Sequence, residues 1–143
     1  MLTTQCESDV LMILSAQEFV ELRTSERQED YLRAATDTAP LEVWVDVIHG
    51  FPEMKVWVAH NKTVSLEVLK LLASDSDPRV RLAVAMKNKL PHDLMVQLGR
   101  DTEASVRQRV AHNKNASIEI LEEVAQDESE LVSATARARL YPS

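Results

Sequence analysis

The sequence predicts an all-α fold, and within that class a right-handed α-solenoid of short helix pairs behind an N-terminal helical cap. Three observations predict it. The 143 residues include two glycines and are 45% hydrophobic but only 4% aromatic, whereas turn-rich sheet proteins use more Gly, Thr and aromatic residues. Apolar residues recur three and four positions apart, as in Leu66, Leu69, Leu72 and Ala73, which places them on one face of a helix. The pattern then repeats at a step of 26, linking Met54, Val80, Val106 and Val132. The same step links Val58, Val84, Val110 and Ala136, then Leu69, Met95 and Leu121, then Leu72, Leu98 and Val124, and Ala73, Gly99 and Ala125. Self-similarity at a fixed period is the signature of stacked supersecondary units that bury one shared apolar seam.

The elements follow in order. Ser15 with Glu18 and Ser25 with Gln28 each fit a capping box, which predicts helices over 8–22 and 25–36. A third helix is expected from Pro40 to His49, with Trp44 in its core. Residues 25–53 read as a degenerate repeat and the first helix as the cap proper. Three units follow, 54–79, 80–105 and 106–131, with a partial fourth over 132–143. In each, a short small-sided segment such as Val80 to Ala85 predicts a first helix, with Asp77 as N-cap and Pro78 at the first helical position. Asn61 and Asn113 are expected to end these helices in the left-handed conformation, as Gly or Asn does. Pro91 opens the second helix of its unit. No Ser- or Gly-rich linker divides 1–143, which predicts a single domain.

The segments Val58-Ala59-His60-Asn61-Lys62 and Val110-Ala111-His112-Asn113-Lys114, each followed by an apolar helix, together with Asp75-Ser76-Asp77-Pro78-Arg79-Val80-Arg81, resemble the leucine-rich repeat variant group. That group is a short-unit relative of HEAT-like α-solenoids, and the resemblance covers about residues 54–140. Lys62 and Lys114 stand where that family has proline, and with Cys6 alone the iron–sulfur cluster of some members is not implied. Small proteins of this kind also resemble bacterial immunity proteins, which neutralise a toxin by binding it; the resemblance implies that function at the level of fold only.

Charge points the same way. Sixteen Lys and Arg against 23 Asp and Glu give a net charge of −7, which disfavours general binding to nucleic acid and favours a basic protein partner. The charge is local: residues 1–53 hold 3 basic and 11 acidic side chains, net −8, and residues 54–143 hold 13 and 12, net +1. In the repeats, Lys55, Arg81 and Arg107 share one phase and Glu67, Asp93 and Glu119 another; acids in a helix's first turn complement its dipole and are expected to pair with the basic ladder of a neighbouring unit. The turns inside units carry His60, Lys62, Lys87 and Lys89, and those between units carry Asp75, Asp101, Glu103 and Asp127. That sorting leaves a charged rim open to binding.

Candidate chemistry is sparse. His60 and His112 are 52 apart, two repeat steps, and therefore equivalent positions in different layers, not converging ligands. His49 and His92 lack partners at metal-ligand spacing, so no metal, cofactor or small-molecule substrate is expected. The five-residue apolar run Val10 to Leu14 follows Glu7 and Asp9 and is too short to cross a membrane; with one cysteine, a soluble cytoplasmic protein is expected. The sequence therefore predicts a non-catalytic protein-binding module with a basic partner, and the resemblance implies an immunity protein that covers a nuclease-type toxin. Its expected partner-binding residues are Glu42, Asp46, Glu53, Trp57, Glu67 and Asp93, although Trp57 also reads, and somewhat better, as the seal between the degenerate first repeat and the regular array. Alternatives are a generic scaffold or adaptor, and a HEAT-like DNA-binding or glycosylase-related protein in which Arg79, Arg81, Arg107 and Arg109 touch phosphates and Trp57 stacks on a base.

Overall fold

The structure, a computed structural model, describes residues 12–142. Cys6 and the first part of the helix expected over 8–22 lie outside the described residues. Among the described residues the chain is all-helical, with ten α-helices and no strand. Two compact units, Met1–Leu69 and Lys70–Ser143, divide it.

The first unit holds α1 (Ala16–Thr24), α2 (Gln28–Thr36), α3 (Leu41–Gly50), a 3-10 turn (Pro52–Met54), α4 (Lys55–His60) and the start of α5 (Leu66–Ala73). Ser15 caps α1, accepting from the Glu18 N–H at 3.0 Å, while the Glu18 carboxylate accepts from the Leu14 N–H at 2.8 Å. Ser15 thus caps the helix, while Glu18 reaches the N–H one residue before the cap, and the helix starts at Ala16, inside the expected 8–22. Ser25 does not cap α2. Its hydroxyl donates to Asp30 at 2.7 Å and accepts from the Arg27 N–H at 3.0 Å, closing a local turn that delays the helix to Gln28. Helix α1 packs on α2 and α3, and α4 packs on α2 and α3. Phe19 meets Trp44 edge-on at 5.2 Å between ring centroids, and both are buried beside Val43, Val47 and Val58. Trp44 is thus a core residue, as its apolar helix predicts.

The second unit holds the rest of α5, then α6 (Pro78–Ala85), α7 (His92–Gly99), α8 (Ala104–His112), α9 (Ile118–Val124) and α10 (Glu130–Leu140). Asp77 caps α6 through the Arg79 N–H at 2.9 Å, with Pro78 at the first helical position. First helices stack on one another, α6 on α8 and α8 on α10, and the second helices α7 and α9 pack together. Most of the 26-step apolar positions become buried, as at Val80, Val106 and Val132, at Val84, Val110 and Ala136, and at Leu98 and Val124, whereas Met54 and Ala125 are half-buried.

Gly99 takes a position that alanine fills one step to either side, at Ala73 and Ala125. A Cβ there would lie 3.5 Å from Val124 and 3.7 Å from Val110, ordinary packing distances. Gly99→Ala should therefore stabilise by about 0.5–1 kcal/mol, through lower unfolded-state entropy and better helix propensity, and raise Tm by roughly 2–4 °C. Thermal melting followed by circular dichroism checks this. A lower Tm would mean that the corner between α7, α8 and α9 has no room for a methyl group.

Candidate functional site

Much of the polar chemistry that repeats along the sequence holds the helices to one another. Asn61 and Asn113 are buried and are not left-handed: their backbones are extended, at φ −64° and −66°, and among the described residues no non-glycine residue has positive φ. Their side chains do the work instead. The Asn61 amide donates to the carbonyls of Ala34 at 2.8 Å and Asp37 at 3.0 Å, and its oxygen accepts from the Thr63 N–H at 2.7 Å. Asn113 donates to the Lys87 carbonyl at 2.8 Å and accepts from the Asn115 N–H at 2.9 Å. Asparagine is chosen here because one short side chain both donates to a neighbouring turn and accepts from its own. One step on, the Arg139 guanidinium donates to the Ala111 and Asn113 carbonyls at 2.9 and 2.5 Å, a continuation that the spacing 61, 113 and 139 could have disclosed.

The basic ladder is likewise internal. Arg81 grips Asp101 with two hydrogen bonds at 2.7 and 3.0 Å and donates to the Asp75 carbonyl at 2.7 Å. Arg107 repeats this 26 residues later, to Asp127 at 2.7 and 3.1 Å and to the Asp101 carbonyl at 2.8 Å. The hydrogen bond to Asp127 and the neighbouring carboxylate hold Arg107 above its ordinary range, against the opposing effect of burial. The same hydrogen bond from Arg107, helped by the Ser129 N–H, holds Asp127 below the usual carboxylate value. Asp75, Asp101 and Asp127 each also accept from the N–H two residues on, at 2.9 Å. The acidic edge expected at these aspartates is neutralised in place at Asp101 and Asp127. Within the second unit Arg81 and Arg107 pair with the turn carboxylates Asp101 and Asp127, and not with Glu67, Asp93 or Glu119 as expected, because the turn carboxylates sit at the level of the guanidinium.

Arg100 pairs with Glu123 at 2.6 Å on the surface, and one step earlier Gln97 donates to Ser74 at 3.3 Å. Arg79 is tied to its own cap, Asp77, at 2.9 Å. Arg79, Arg81 and Arg107 thus make the contacts with carboxylates that a phosphate-binding surface would have to give up.

The expected partner-binding residues divide into three groups. Glu42, Asp46 and Glu53 are exposed on α3 and the 3-10 turn after it, and among the described residues none of them forms an ion pair or side-chain hydrogen bond. Glu67 is exposed in the first turn of α5, and Asp93 is exposed in the first turn of α7 in the second unit, where it accepts from the Leu94 N–H at 3.0 Å. Trp57 is 37% exposed, neither free nor core. The Arg23 guanidinium from α1 lies over its ring at 3.6 Å, and His60 approaches it at 5.4 Å between ring centroids. Arg23 also stands 5.1 Å from the Tyr31 ring on α2. Around these groups a cavity of about 370 Å³ opens, lined by Arg23, Tyr31, Ala34, Ala35, Trp57 and His60. Sequence reasoning singled out Trp57 but missed Arg23 and Tyr31, whose approach depends on how α1 and α2 pack.

Among the described residues no group of three or more His, Cys, Asp or Glu is placed to hold a metal ion, and no helix is long and apolar enough to cross a membrane. Comparison of the chain with protein-family models, with curated proteins and with solved structures finds no match in any of the three.

Proposed function

We propose that the chain is an α-solenoid of 26-residue helix pairs that works without catalysis, by binding a protein, and that its partner is a basic, nuclease-type toxin domain whose active site it covers. The observation that carries this reading is the outer face of α3. Glu42 and Asp46 stand four residues apart on one side of the helix, exposed and without a cation among the described residues, an arrangement that costs a helix roughly 0.2–0.5 kcal/mol. Glu53 extends the same unpaired charge beyond the helix end. In residues 1–53 the three arginines are engaged elsewhere: Arg27 with Glu29, Arg33 with Asp37 and Glu18, and Arg23 on Trp57. Glu42 complements the dipole at the start of α3, but Asp46 and Glu53 have no ion-pair partner among the described residues. A basic partner would supply the missing cations, and long-range attraction between the two would speed their encounter.

Glu42→Lys combined with Asp46→Lys tests the reading, with wild-type and doubly reversed protein as parallel baits in native lysate and bound proteins quantified by mass spectrometry. A basic protein retained by the wild type and depleted more than about tenfold by the reversal is expected, since close interfacial charge pairs are worth about 1.5 kcal/mol or more. Equal retention of that protein would remove α3 from the interface. Recovery of nucleic acid would overturn the protein-binding reading, and a neutral or acidic partner would favour an adaptor.

A further inference from the structure

We infer that the cavity formed by Arg23, Tyr31 and Trp57 is a binding site for a carboxylate carried on a flat apolar body, such as an aromatic acid or the C-terminal residue of a peptide. It lies within the first unit and is separate from the acidic face of α3.

The inference starts from Arg23. Its guanidinium rests on the Trp57 ring at 3.6 Å and near the Tyr31 ring at 5.1 Å, so aromatic surface meets the face of the ion. A guanidinium donates hydrogen bonds in its plane, not from its face. The cation–π contact therefore fixes the half-exposed group while leaving its five N–H donors without a protein acceptor among the described residues. Among the described residues no carboxylate or carbonyl accepts from Arg23, although the same unit pairs Arg27 and Arg33 with carboxylates. That contrast matters in a unit with 12 acidic against 5 basic side chains over residues 1–69, where an arginine has many acids available to it. Arg23 is kept as a pre-positioned donor.

The rest of the cavity defines what the oxyanion is attached to. Ala34 and Ala35 on α2 supply methyl-lined wall, and Trp57 and Tyr31 supply flat aromatic surface. About 370 Å³ is at the small end of ligand pockets and suits one ring and its acid group. A carboxylate matches the guanidinium fork with two parallel hydrogen bonds, and the ring behind it covers the alanines. A bare phosphate would satisfy Arg23 but leave the apolar wall wet. The net charge of the unit does not exclude an anion, because exposed charges beyond about 8 Å are screened at physiological ionic strength.

Trp57 makes the test direct, because its fluorescence reports on the site while Trp44 stays buried in the core. The probes are benzoate with benzamide, and N-acetylphenylalanine with its C-terminal amide. Saturable quenching by the acids, at least about tenfold tighter than by the matching neutral amides, is expected. Trp57→Phe should abolish the signal, and Arg23→Gln should abolish the preference for acid over amide. Arg23→Lys, which keeps the charge but loses the fork, should weaken acid binding several-fold and guards against a folding defect in the glutamine variant. A stronger response to N-acetylphenylalanine than to benzoate assigns the source to a peptide terminus, and the reverse to a small aromatic acid. Acids and amides binding alike, or tetramethylammonium displacing Arg23 from Trp57 while the acids do nothing, would overturn the inference. Neither result bears on the charge reversal of α3, so the two readings fail separately.

Discussion

Asn61→Ala should destabilise the protein by about 3 kcal/mol, measured as a shift in the urea midpoint at unchanged slope. The side chain is fully buried and joins two turns. Its amide serves the Ala34 and Asp37 carbonyls, while its oxygen takes the Thr63 N–H and also the Thr63 hydroxyl at 2.6 Å. Truncation leaves several backbone groups without partners in a dry site, and each such group costs about 1–3 kcal/mol. The sum is kept near the lower end because the single Thr63 hydroxyl proton, released from the Asn61 oxygen, turns to the Asp37 carbonyl 3.2 Å away. Asn113→Ala should cost less, about 2 kcal/mol, since its amide serves only the Lys87 carbonyl. Asn61→Asp separates donation from acceptance: it keeps the acceptor for Thr63 and replaces the donor with a carboxylate facing two carbonyls. That variant should be at least as unstable as Asn61→Ala near neutral pH and should regain stability in acid, where protonation restores a donor. A loss below about 1 kcal/mol for Asn61→Ala would mean that water replaces the side chain at no cost.

The periodicity disclosed the buried positions well and the polar positions poorly, for one physical reason. An apolar side chain at a repeat phase has a single task, and Val80, Val106 and Val132 perform it identically. A polar side chain has several possible partners, and spacing does not choose among them. Asn61 and Asn113 stand at the expected helix boundary in a different role, because asparagine serves equally as a left-handed residue and as a bridge between turns. Arg81 and Arg107 were recognised as a ladder, yet their partners are the carboxylates 20 residues on in the next turn, a distance set by helix length and not by any motif. Ser25 shows the local version, since its hydroxyl prefers Asp30 to the N-cap position. Glu42, Asp46 and Glu53, singled out by charge, are exposed. Arg23 was not legible in the sequence, because it reaches Trp57 from 34 positions earlier in the chain and lies outside the regular repeats.

Arg107→Leu should cost about 3 kcal/mol at neutral pH, and the reason is what it strands. The pair is almost sealed, with Arg107 12% and Asp127 8% exposed, and removal of the cation leaves a carboxylate in a site that water scarcely reaches. The Ser129 N–H remains on Asp127 at 2.9 Å, which holds the loss at the low end of the range for a broken buried pair. Adding Asp127→Asn should restore about 1–2 kcal/mol, because the amide oxygen still accepts from Ser129 while the unpaired charge is gone. The double-variant cycle therefore has to be strongly non-additive. The pH dependence follows from the lowered value of Asp127, caused first by the hydrogen bond from Arg107. A group whose carboxyl is depressed on folding contributes stability that is present above the unfolded carboxylate value, near 4, and is lost as pH falls through the lower folded value. Wild-type protein should lose this contribution in acid, whereas Arg107→Leu has already lost it, so the gap between the two should narrow as pH falls below about 4. Urea titrations of both proteins through that pH check the point. A gap that stays constant would mean that Arg107 contributes through packing and its bond to the Asp101 carbonyl, and not through Asp127.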